Sequence, residues 1–383
     1  MGNAVIVDAV RSPMGKGKPT GALADVHPVD LLAQVFIRLL ERSGVEPGSV
    51  DDVLIGCVGQ NGEQSATPGR QAWLAAGFPT HVQAVSIERK CGSGQQAVDF
   101  AAWGIQAGVY DIAIAGGVES MSRVPMGSNR VGMDPFGPGV HERFPHLVPQ
   151  GVSAELVAAK WSLSRTQLDE YAAQSHVRAE ACRTSGGFDA EIVTITTPHG
   201  DVAIDETIRP GTTVGHLTNL VPAFADEKYR DVYPEFDWKV TAGNSSQLTD
   251  GASALLVMSE ERAAALGVRK RARILASAVC GDDPTPDAHW AHPGDEKGAR
   301  TREARRQRHR CRGGERGIRL RTAGMAGRVR HPGRTGQSPR GCDRSGPPTR
   351  RVGRTPDDDA HQPPRANRRP VRLANDVRSR RHG

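Results

Sequence analysis

The apolar positions of the chain alternate between short continuous runs and runs with helical spacing. The stretches "AVIVDAV" (4–10), "VDDVLIGCV" (50–58) and "YDIAIAGGVES" (110–120) are short, rich in β-branched residues and bounded by turn residues, as is typical of buried strands. Between the first two, "DLLAQVFIRLLERSG" places its leucines and valine on one helical face and ends at Gly44. This order of strands and helices predicts an α/β domain.

The second part of the chain has a different pattern. Residues 121–150 are rich in Gly, Pro and Met and are predicted to form a loop, and residues 190–237 are irregular with short strands. Helical spacing predicts helices in "SAELVAAKW" (153–161) and "SRTQLDEYAAQSHVRAEACR" (164–183), the latter beginning at an N-cap serine. "WKVTAGNSSQLTDGASALLVMSEERAAALG" indicates strand, turn, buried strand and helix. "ARILASAVCG" (272–281) predicts a last apolar strand, after which the periodic signal stops.

Composition divides the chain into two parts. Residues 281–383 contain 25 Arg and 1 Lys against 12 Asp and Glu, a net charge of +14, which leaves −7 for residues 1–280 because the whole chain carries +7. The same 103 residues hold nine bulky apolar side chains. Such a segment buries too little surface to offset its ordering entropy, and we expect most of it to be disordered.

The cysteines and the N-terminus predict a reduced, cytoplasmic compartment. The six cysteines have no CxxC spacing, so neither a disulfide framework nor a zinc site is expected, and no metal is expected. The first residues lack the charged and apolar regions of a signal peptide. No apolar run reaches 18 residues, so no membrane span is predicted.

Cys91 is the candidate nucleophile. It follows a short apolar run and precedes helical spacing that begins at Ser93, so it lies at or just before a helix N-terminus, where unpaired N–H groups favour thiolate. Gly92 and Gly94 permit close approach of a substrate, and Lys90 adds positive charge if it points inward. The alternative is a buried, inert cysteine. Cys57, inside an apolar strand, is predicted to be of that inert kind.

Several longer motifs are similar to those of one enzyme family. "KCGSGQQA", "DIAIAGGVESMS" and "VTAGNSSQLTDGASALLV" resemble the thiolases, the acyl-CoA acetyltransferases, and "RSPMGKGKPTGALADVHPVDL" and "VSAELVAAKW" fit the same family. The resemblance covers residues 3–284, with Glu88 and Gln95 as local departures beside the nucleophile. The "GNSSQLTDGA" stretch favours thiolases over the ketoacyl synthases, which share the fold.

The resemblance implies a thiolase-like layered αβα fold and a covalent mechanism. In the family a first cysteine, matched by Cys91, is acylated by an acyl-CoA or 3-ketoacyl-CoA, and a second cysteine in a CxGGG motif moves a proton. A His in a GHP motif activates the first cysteine, and an Asn in an NEAF motif positions a water of the oxyanion hole. Ser246 matches a serine that contacts the pantetheine of coenzyme A; its alternative is a turn serine. Coenzyme A is then a substrate, no cofactor is needed, and a homodimer or homotetramer is expected.

The C-terminal region lacks the GHP, NEAF and CxGGG motifs. The resemblance implies a thiolase N-terminal domain over 1–264 with a loop insertion at about 121–238, the start of a C-terminal domain at 265–286 and a basic tail outside the family at 287–383. The tail's isolated His and Cys residues have none of the family's flanking sequence.

A frameshift explains the missing motifs. Back-translated with permitted codons and read one nucleotide earlier, the tail yields "NEAFA" from 315–319, "GHPLGASG" within 345–358 and "CEAGG" within 372–381, in family order and in one frame. A GC-rich gene read out of frame also yields the observed Arg, Gly and Pro. We place the break near 284–287, and the DNA across this region decides the hypothesis.

The predicted function is thiolase-type acyl transfer between coenzyme A and Cys91, impaired or absent in this chain because its acid–base residues are missing. One alternative is a non-catalytic scaffold with the thiolase fold, which predicts that an acyl donor does not trap Cys91. Another is nucleic-acid binding through the basic tail. The scarcity of aromatic residues and the interspersed acids, including "DDD" at 357–359, speak against it.

Overall fold

The structure is a computed structural model that describes residues 2–234, 236–281 and 284. The predictions made for the basic tail, including its disorder and its reframed motifs, lie outside these residues.

A seven-stranded mixed sheet forms the centre of the described residues. The strands are β1 (Ala4–Arg11), β2 (Gly15–Lys16), β3 (Asp52–Gly56), β4 (Gln83–Ile87), β5 (Ile112–Ser120), β8 (Thr249–Ser259) and β9 (Ala272–Arg273). Their order in the sheet is β4–β3–β5–β8–β1–β9, with β2 paired to β8. β3 is parallel to β4 and β5, whereas β8 is antiparallel to both β5 and β1.

Helices cover both faces of this sheet. α1 (Pro28–Ser43) and α2 (Pro68–Ala75) pack on one face, and α3 (Ser93–Ala107) packs on the other. Along β5, the isoleucines at 112 and 114 face α1, and the alanines at 113 and 115 face α3. Small side chains beneath α3 let that helix approach the sheet closely. The predicted αβα layering is therefore present.

Helix α1 shows how local sequence sets the boundaries of an element. His27 precedes it and its Nδ1 accepts a hydrogen bond from the Val29 N–H at 3.3 Å, and proline occupies the first helical position. Gly44 ends it with φ of 66° and donates to the Leu40 carbonyl at 2.9 Å. The predicted apolar face is buried against the sheet, and includes Leu31, Leu32, Val35, Leu39 and Leu40.

Helices and a small hairpin make up the segment between β5 and β8, where the sequence predicts the insertion. The Ser164 hydroxyl and the Gln167 side chain form the two halves of a capping box at the start of its longest helix. The insertion contains α4 (Gly137–Arg143), α5 (Gln150–Lys160), α6 (Arg165–Thr184), the hairpin strands β6 (Ile195–Thr197) and β7 (Gly200–Val202), α7 (Val214–Thr218) and α8 (Glu227–Arg230). Outside the insertion, α9 (Glu260–Ala265) follows β8. Short 3-10 turns occupy Pro47–Ser49, Gly62–Gln64 and Ser128–Arg130. The helix α4 lies within 121–150, where the sequence predicted only loop.

The predicted strand at 272–281 is mostly wrong. Only β9 is a strand, because the chain pairs with β1 over two residues and then leaves the sheet. Ile274 packs against the α3 side of the core, and the Ser277 hydroxyl accepts a hydrogen bond from Trp103 Nε1 on α3 at 2.9 Å. Ile274 is half-buried, whereas Leu275 and Val279 are exposed, so the apolar run of this segment is only partly buried. None of the helices in the described part of the chain is long and apolar enough to cross a membrane.

Candidate active site

Cys91 lies at the N-terminus of α3. Strand β4 ends at Ile87, Gly92 is the N-cap residue and Ser93 is the first helical residue, so Cys91 stands directly before the cap. Its side chain is exposed. The position predicted from the sequence is therefore the position found, and the buried alternative is wrong for this cysteine. The free N–H groups and the positive end of a 15-residue helix therefore begin next to this residue.

A tight turn holds Cys91 in place. The Arg89 N–H donates to Ser93 Oγ at 2.8 Å, and Ser93 Oγ donates to the Lys90 carbonyl at 2.6 Å. Lys90 has a left-handed backbone with φ of 48°, which is strained for a residue with a side chain. Its ammonium group pairs with Glu88, and its side chain is 77% exposed. Lys90 thus points to solvent and does not bring the inward positive charge that the sequence allowed.

Glycines bring the ends of β3 and β5 against the first turn of α3. A Cβ atom on Gly56 would lie 2.5 Å from the backbone carbon of Ser93, and one on Gly117 would lie 3.0 Å from the Gly56 carbonyl oxygen and 3.9 Å from the Gly94 Cα. A side chain at 56 would push the helix away from the sheet, and a side chain at 117 would press on the neighbouring strand β3. We call Gly56, Gly94 and Gly117 the glycine seat; it positions the turn that carries Cys91.

Cys57 is a different kind of cysteine. It is buried beside the end of β3, and burial raises the pKa of its thiol to about 12, with the negative charge of Glu119 acting in the same direction and a hydrogen bond from Gln64 against it. Cys57 therefore stays a neutral thiol, which agrees with the inert role predicted for it.

Ser246 lies in an exposed loop before β8. The loop is fixed by its neighbours: Asn244 Oδ1 accepts from the Thr241 N–H at 2.7 Å, and Asn244 Nδ2 donates to Asp169 of α6 at 2.9 Å. The Ser245 hydroxyl donates to the Thr241 carbonyl at 2.7 Å. These contacts leave the Ser246 side chain at the surface.

The sheet brings Cys91 and Ser246 to the same edge. Cys91 follows the carboxyl end of β4, and Ser246 precedes the amino end of β8, which runs antiparallel to β5. The two strands are three positions apart in the sheet, about 14 Å at the usual strand spacing.

The sequence did not single out two polar side chains near this edge. Glu119 and Gln64 join the ends of β3 and β5, and Gln64 is fully buried. The doublet of glycines before Val118 marks this end of β5, but Gln64 is 55 residues from Glu119 and nothing in the spacing links them.

Among the residues described, no group of His, Cys, Asp and Glu is arranged to hold a metal ion. The tail's His and Cys residues lie outside the described part.

Comparison with known proteins gives the family. The family model "Thiolase, N-terminal domain" matches residues 4–261. The chain belongs to the thiolase family. The match begins at β1 and ends in α9, so it contains the whole sheet apart from β9, together with Cys91 and Ser246.

Individual thiolases are similar over the same region. The steroid 3-ketoacyl-CoA thiolase FadA6 of Mycobacterium tuberculosis is 38% identical over 294 residues, which cover 74% of this chain and 69% of that protein. The 3-ketoacyl-CoA thiolase of Serratia proteamaculans is 42% identical over 292 residues, 74% of this chain and 72% of that protein. The crystal structure of the Bacillus anthracis acetyl-CoA acetyltransferase has a TM-score of 0.68 and 37% identity, and covers 79% of this chain and 77% of that one.

These matches confirm the resemblance and the fold that the sequence predicted. Thiolases are acyltransferases that use coenzyme A as a substrate and need no cofactor. The names of these relatives specify a 3-ketoacyl-CoA, and in one case a steroid 3-ketoacyl-CoA.

Proposed function

We propose that this chain is a thiolase-type acyltransferase whose nucleophile is Cys91. The Cys91 thiolate attacks the carbonyl carbon of an acyl-CoA thioester, the bond from that carbon to the coenzyme A sulfur breaks, and coenzyme A leaves as a thiolate that takes up a proton. With a 3-ketoacyl-CoA, attack at the 3-carbonyl breaks the bond between carbons 2 and 3 and releases acetyl-CoA after protonation. The observation that carries the proposal is an exposed thiol held before the N-cap of α3 in a thiolase-family chain.

Ser246 is proposed to contact the pantetheine arm of coenzyme A. Its exposed side chain on a loop fixed by Asn244 supports this role, and so does its place on the same sheet edge as Cys91. The rigid loop lowers the entropy lost when a flexible arm binds against it.

We infer that turnover by this chain is impaired. The family's second cysteine, its activating His and its oxyanion-hole Asn have no counterpart in the tail as it is translated. Loss of an acid–base group costs about 10²–10⁴-fold each, and loss of an oxyanion-hole donor costs about 10²–10³-fold. Acylation of Cys91 needs fewer of these groups than full turnover, so we expect the acylation step to lose less of its rate than turnover does.

We also propose that residues 265–286 begin a C-terminal domain that the chain does not complete, after the N-terminal domain at 1–264 with its insertion at 121–238. The outer face of α3 supports this division. Phe100 and Trp103 lie one turn apart on it, with ring centroids 5.6 Å apart, and both remain about two-fifths exposed. A following domain packed on α3 buries them. The assembly expected by family analogy is a homodimer or homotetramer in the cytoplasm, which light scattering and fractionation test.

The experiment separates acylation from turnover. The purified chain is incubated with acetyl-CoA and acetoacetyl-CoA, and intact-mass and peptide mass spectrometry locate any acyl adduct; coupled spectroscopy measures thiolysis. We expect an adduct on Cys91 that Cys91→Ser removes and Cys182→Ser leaves, with little thiolysis. A folded chain that forms no adduct on Cys91 refutes the proposal in favour of the non-catalytic scaffold. Thiolysis at the rate of an intact thiolase refutes the impairment.

A further inference from the structure

Two side chains that the proposed reaction leaves unused tie the ends of β3 and β5 together. Glu119 accepts hydrogen bonds from the backbone N–H groups of Val58 at 2.9 Å and Gly59 at 3.0 Å. Gln64 Nε2 donates to Glu119 Oε1 at 2.8 Å, and Gln64 Oε1 accepts from the Ser120 N–H at 2.6 Å. We call this pair the Glu119–Gln64 clamp. It joins the chain leaving β3 to the last residues of β5.

The clamp is built into the interior and leaves little freedom. Gln64 is fully buried, and its Nε2 also donates to the Gly59 carbonyl at 2.9 Å. A Cβ atom on Gly59 would lie 2.9 Å from Glu119 Oε1 and 3.2 Å from Gln64 Nε2, so a side chain there would displace the groups of the clamp. Three N–H donors converge on one carboxylate, and hydrogen bonds to an ionised acceptor are about twice as strong as neutral ones.

The clamp acts on the support of Cys91. Residues 58 and 59, which Glu119 holds, come two and three positions after Gly56 of the glycine seat, and Glu119 itself comes two positions after Gly117. Between them, the Cys57 N–H donates to the Ile87 carbonyl at 3.1 Å, at the end of the strand that leads to Cys91. The clamp therefore fixes the strand ends on which the first turn of α3 rests.

We propose that Glu119 and Gln64 are positioning residues that set the placement of the Cys91 sulfur at the N-terminus of α3. They touch neither the thiol nor a substrate in the described contacts; they act through residues 56–59 and the glycine seat. A shift of the seat moves the turn 89–93 relative to the helix N–H groups, which changes both the stabilisation of the thiolate and the direction of attack. The inference rests on the proposed function for its substrate, but the placement of the sulfur is a property of the unacylated chain.

The test compares Glu119→Gln with Glu63→Gln in the full chain. Glu119→Gln keeps the shape of the side chain but places an amide N–H₂ among three donors. Glu63 is the matched control, because it lies on the same 3-10 turn as Gln64 but pairs with Arg123 at 2.7 Å outside the clamp. The measurements are the rate of Cys91 alkylation by iodoacetamide from pH 6 to 10, the rate of Cys91 acylation at saturating acetyl-CoA, and the urea unfolding curve.

We expect Glu119→Gln to slow both reactions at Cys91 by about tenfold or more and to change the pH profile of the alkylation rate. Glu63→Gln leaves both unchanged, and Glu119→Asp, which keeps the charge, restores part of the rate. A Glu119→Gln chain that loses stability but keeps the pH profile and rates of the parent overturns the proposal, because the clamp is then structural only.

Two further arms cover the other outcomes. If Glu119→Gln does not fold, Glu119→Asp and Gln64→Asn are compared with the parent chain instead. The proposal is overturned if both variants keep the alkylation pH profile and the Cys91 rates of the parent. If acetyl-CoA fails to acylate the parent chain, the proposed function is wrong, and the iodoacetamide profiles still decide whether the clamp positions the sulfur.

Discussion

A Cβ atom on Gly56 would lie 2.5 Å from the backbone nitrogen of Gly94. This distance is far shorter than any Cβ contact that a folded protein tolerates, and the neighbouring atoms are backbone atoms of β3 and α3 that do not rotate away. The end of a strand and the start of a helix therefore touch through their main chains, and Cys91 lies three residues before Gly94. The placement of Cys91 depends on this contact.

Gly56→Ala is expected to displace the first turn of α3. Overpacking of a tight backbone contact costs about 1–3 kcal/mol of unfolding free energy, and alkylation of Cys91 slows in the same variant. Urea denaturation and iodoacetamide kinetics measure the two effects. Gly139→Ala is the control, because a Cβ there meets no atom within 4 Å. Equal stability of the two variants contradicts the role of the seat.

Lys90→Val is expected to lower the free energy of unfolding by about 1 kcal/mol or more. The φ of 48° at this position is poorly accessible to a β-branched residue, whereas Lys90→Gly relieves the strain and keeps stability within about 1 kcal/mol of the parent. Thermal or urea unfolding measures both. Lys18→Val, at an exposed position with no positive φ, is the matched control. If Lys90→Val and Lys18→Val lower the free energy of unfolding by the same amount, the backbone at residue 90 is not left-handed.

Stability is expected to fall as the pH rises above about 9, because of Cys57. Burial raises the pKa of its thiol to about 12 in the folded chain, so the unfolded chain loses this proton first and becomes more stable relative to the folded chain as the pH rises. The expected loss is about 1 kcal/mol between pH 8 and pH 10. Urea curves at both pH values measure it, and Cys57→Ser should remove the difference. If Cys57→Ser loses as much stability between pH 8 and pH 10 as the parent chain, other groups cause the loss.

Arg11→Ala is expected to loosen the insertion between β5 and β8. The Arg11 guanidinium forms bidentate hydrogen bonds to the buried Asp205 carboxylate at 2.7 and 2.9 Å and also pairs with Glu191 at 2.8 Å. Removal of the cation leaves a buried carboxylate unpaired, which costs about 3 kcal/mol, and proteolysis near 188–205 accelerates. Arg38→Ala, which breaks the exposed pair with Glu41, is the control and costs less than about 0.5 kcal/mol. Equal protease sensitivity of the two variants refutes the anchoring role.

The parts of the fold that the sequence predicts are those with a strong local period. The helix at 30–44 and the strands beginning at Ala4 and near Asp52 appear where the pattern of apolar residues puts them. The prediction for 272–281 fails because a continuous apolar run indicates burial, whereas this segment is only partly buried. Two residues pair with β1 in β9, and Leu275 and Val279 beyond them are exposed.

By itself, the sequence determined that a cysteine stands between a short apolar strand and a helix, because the change of apolar period on either side of Cys91 is a local signal. It also determined the family, through motifs that are contiguous along the chain. Only the tertiary structure decided what holds that cysteine in place. The glycine seat and the Glu119–Gln64 clamp join residues up to about 60 positions apart, and contacts made through backbone atoms and one buried amide leave no period in the sequence.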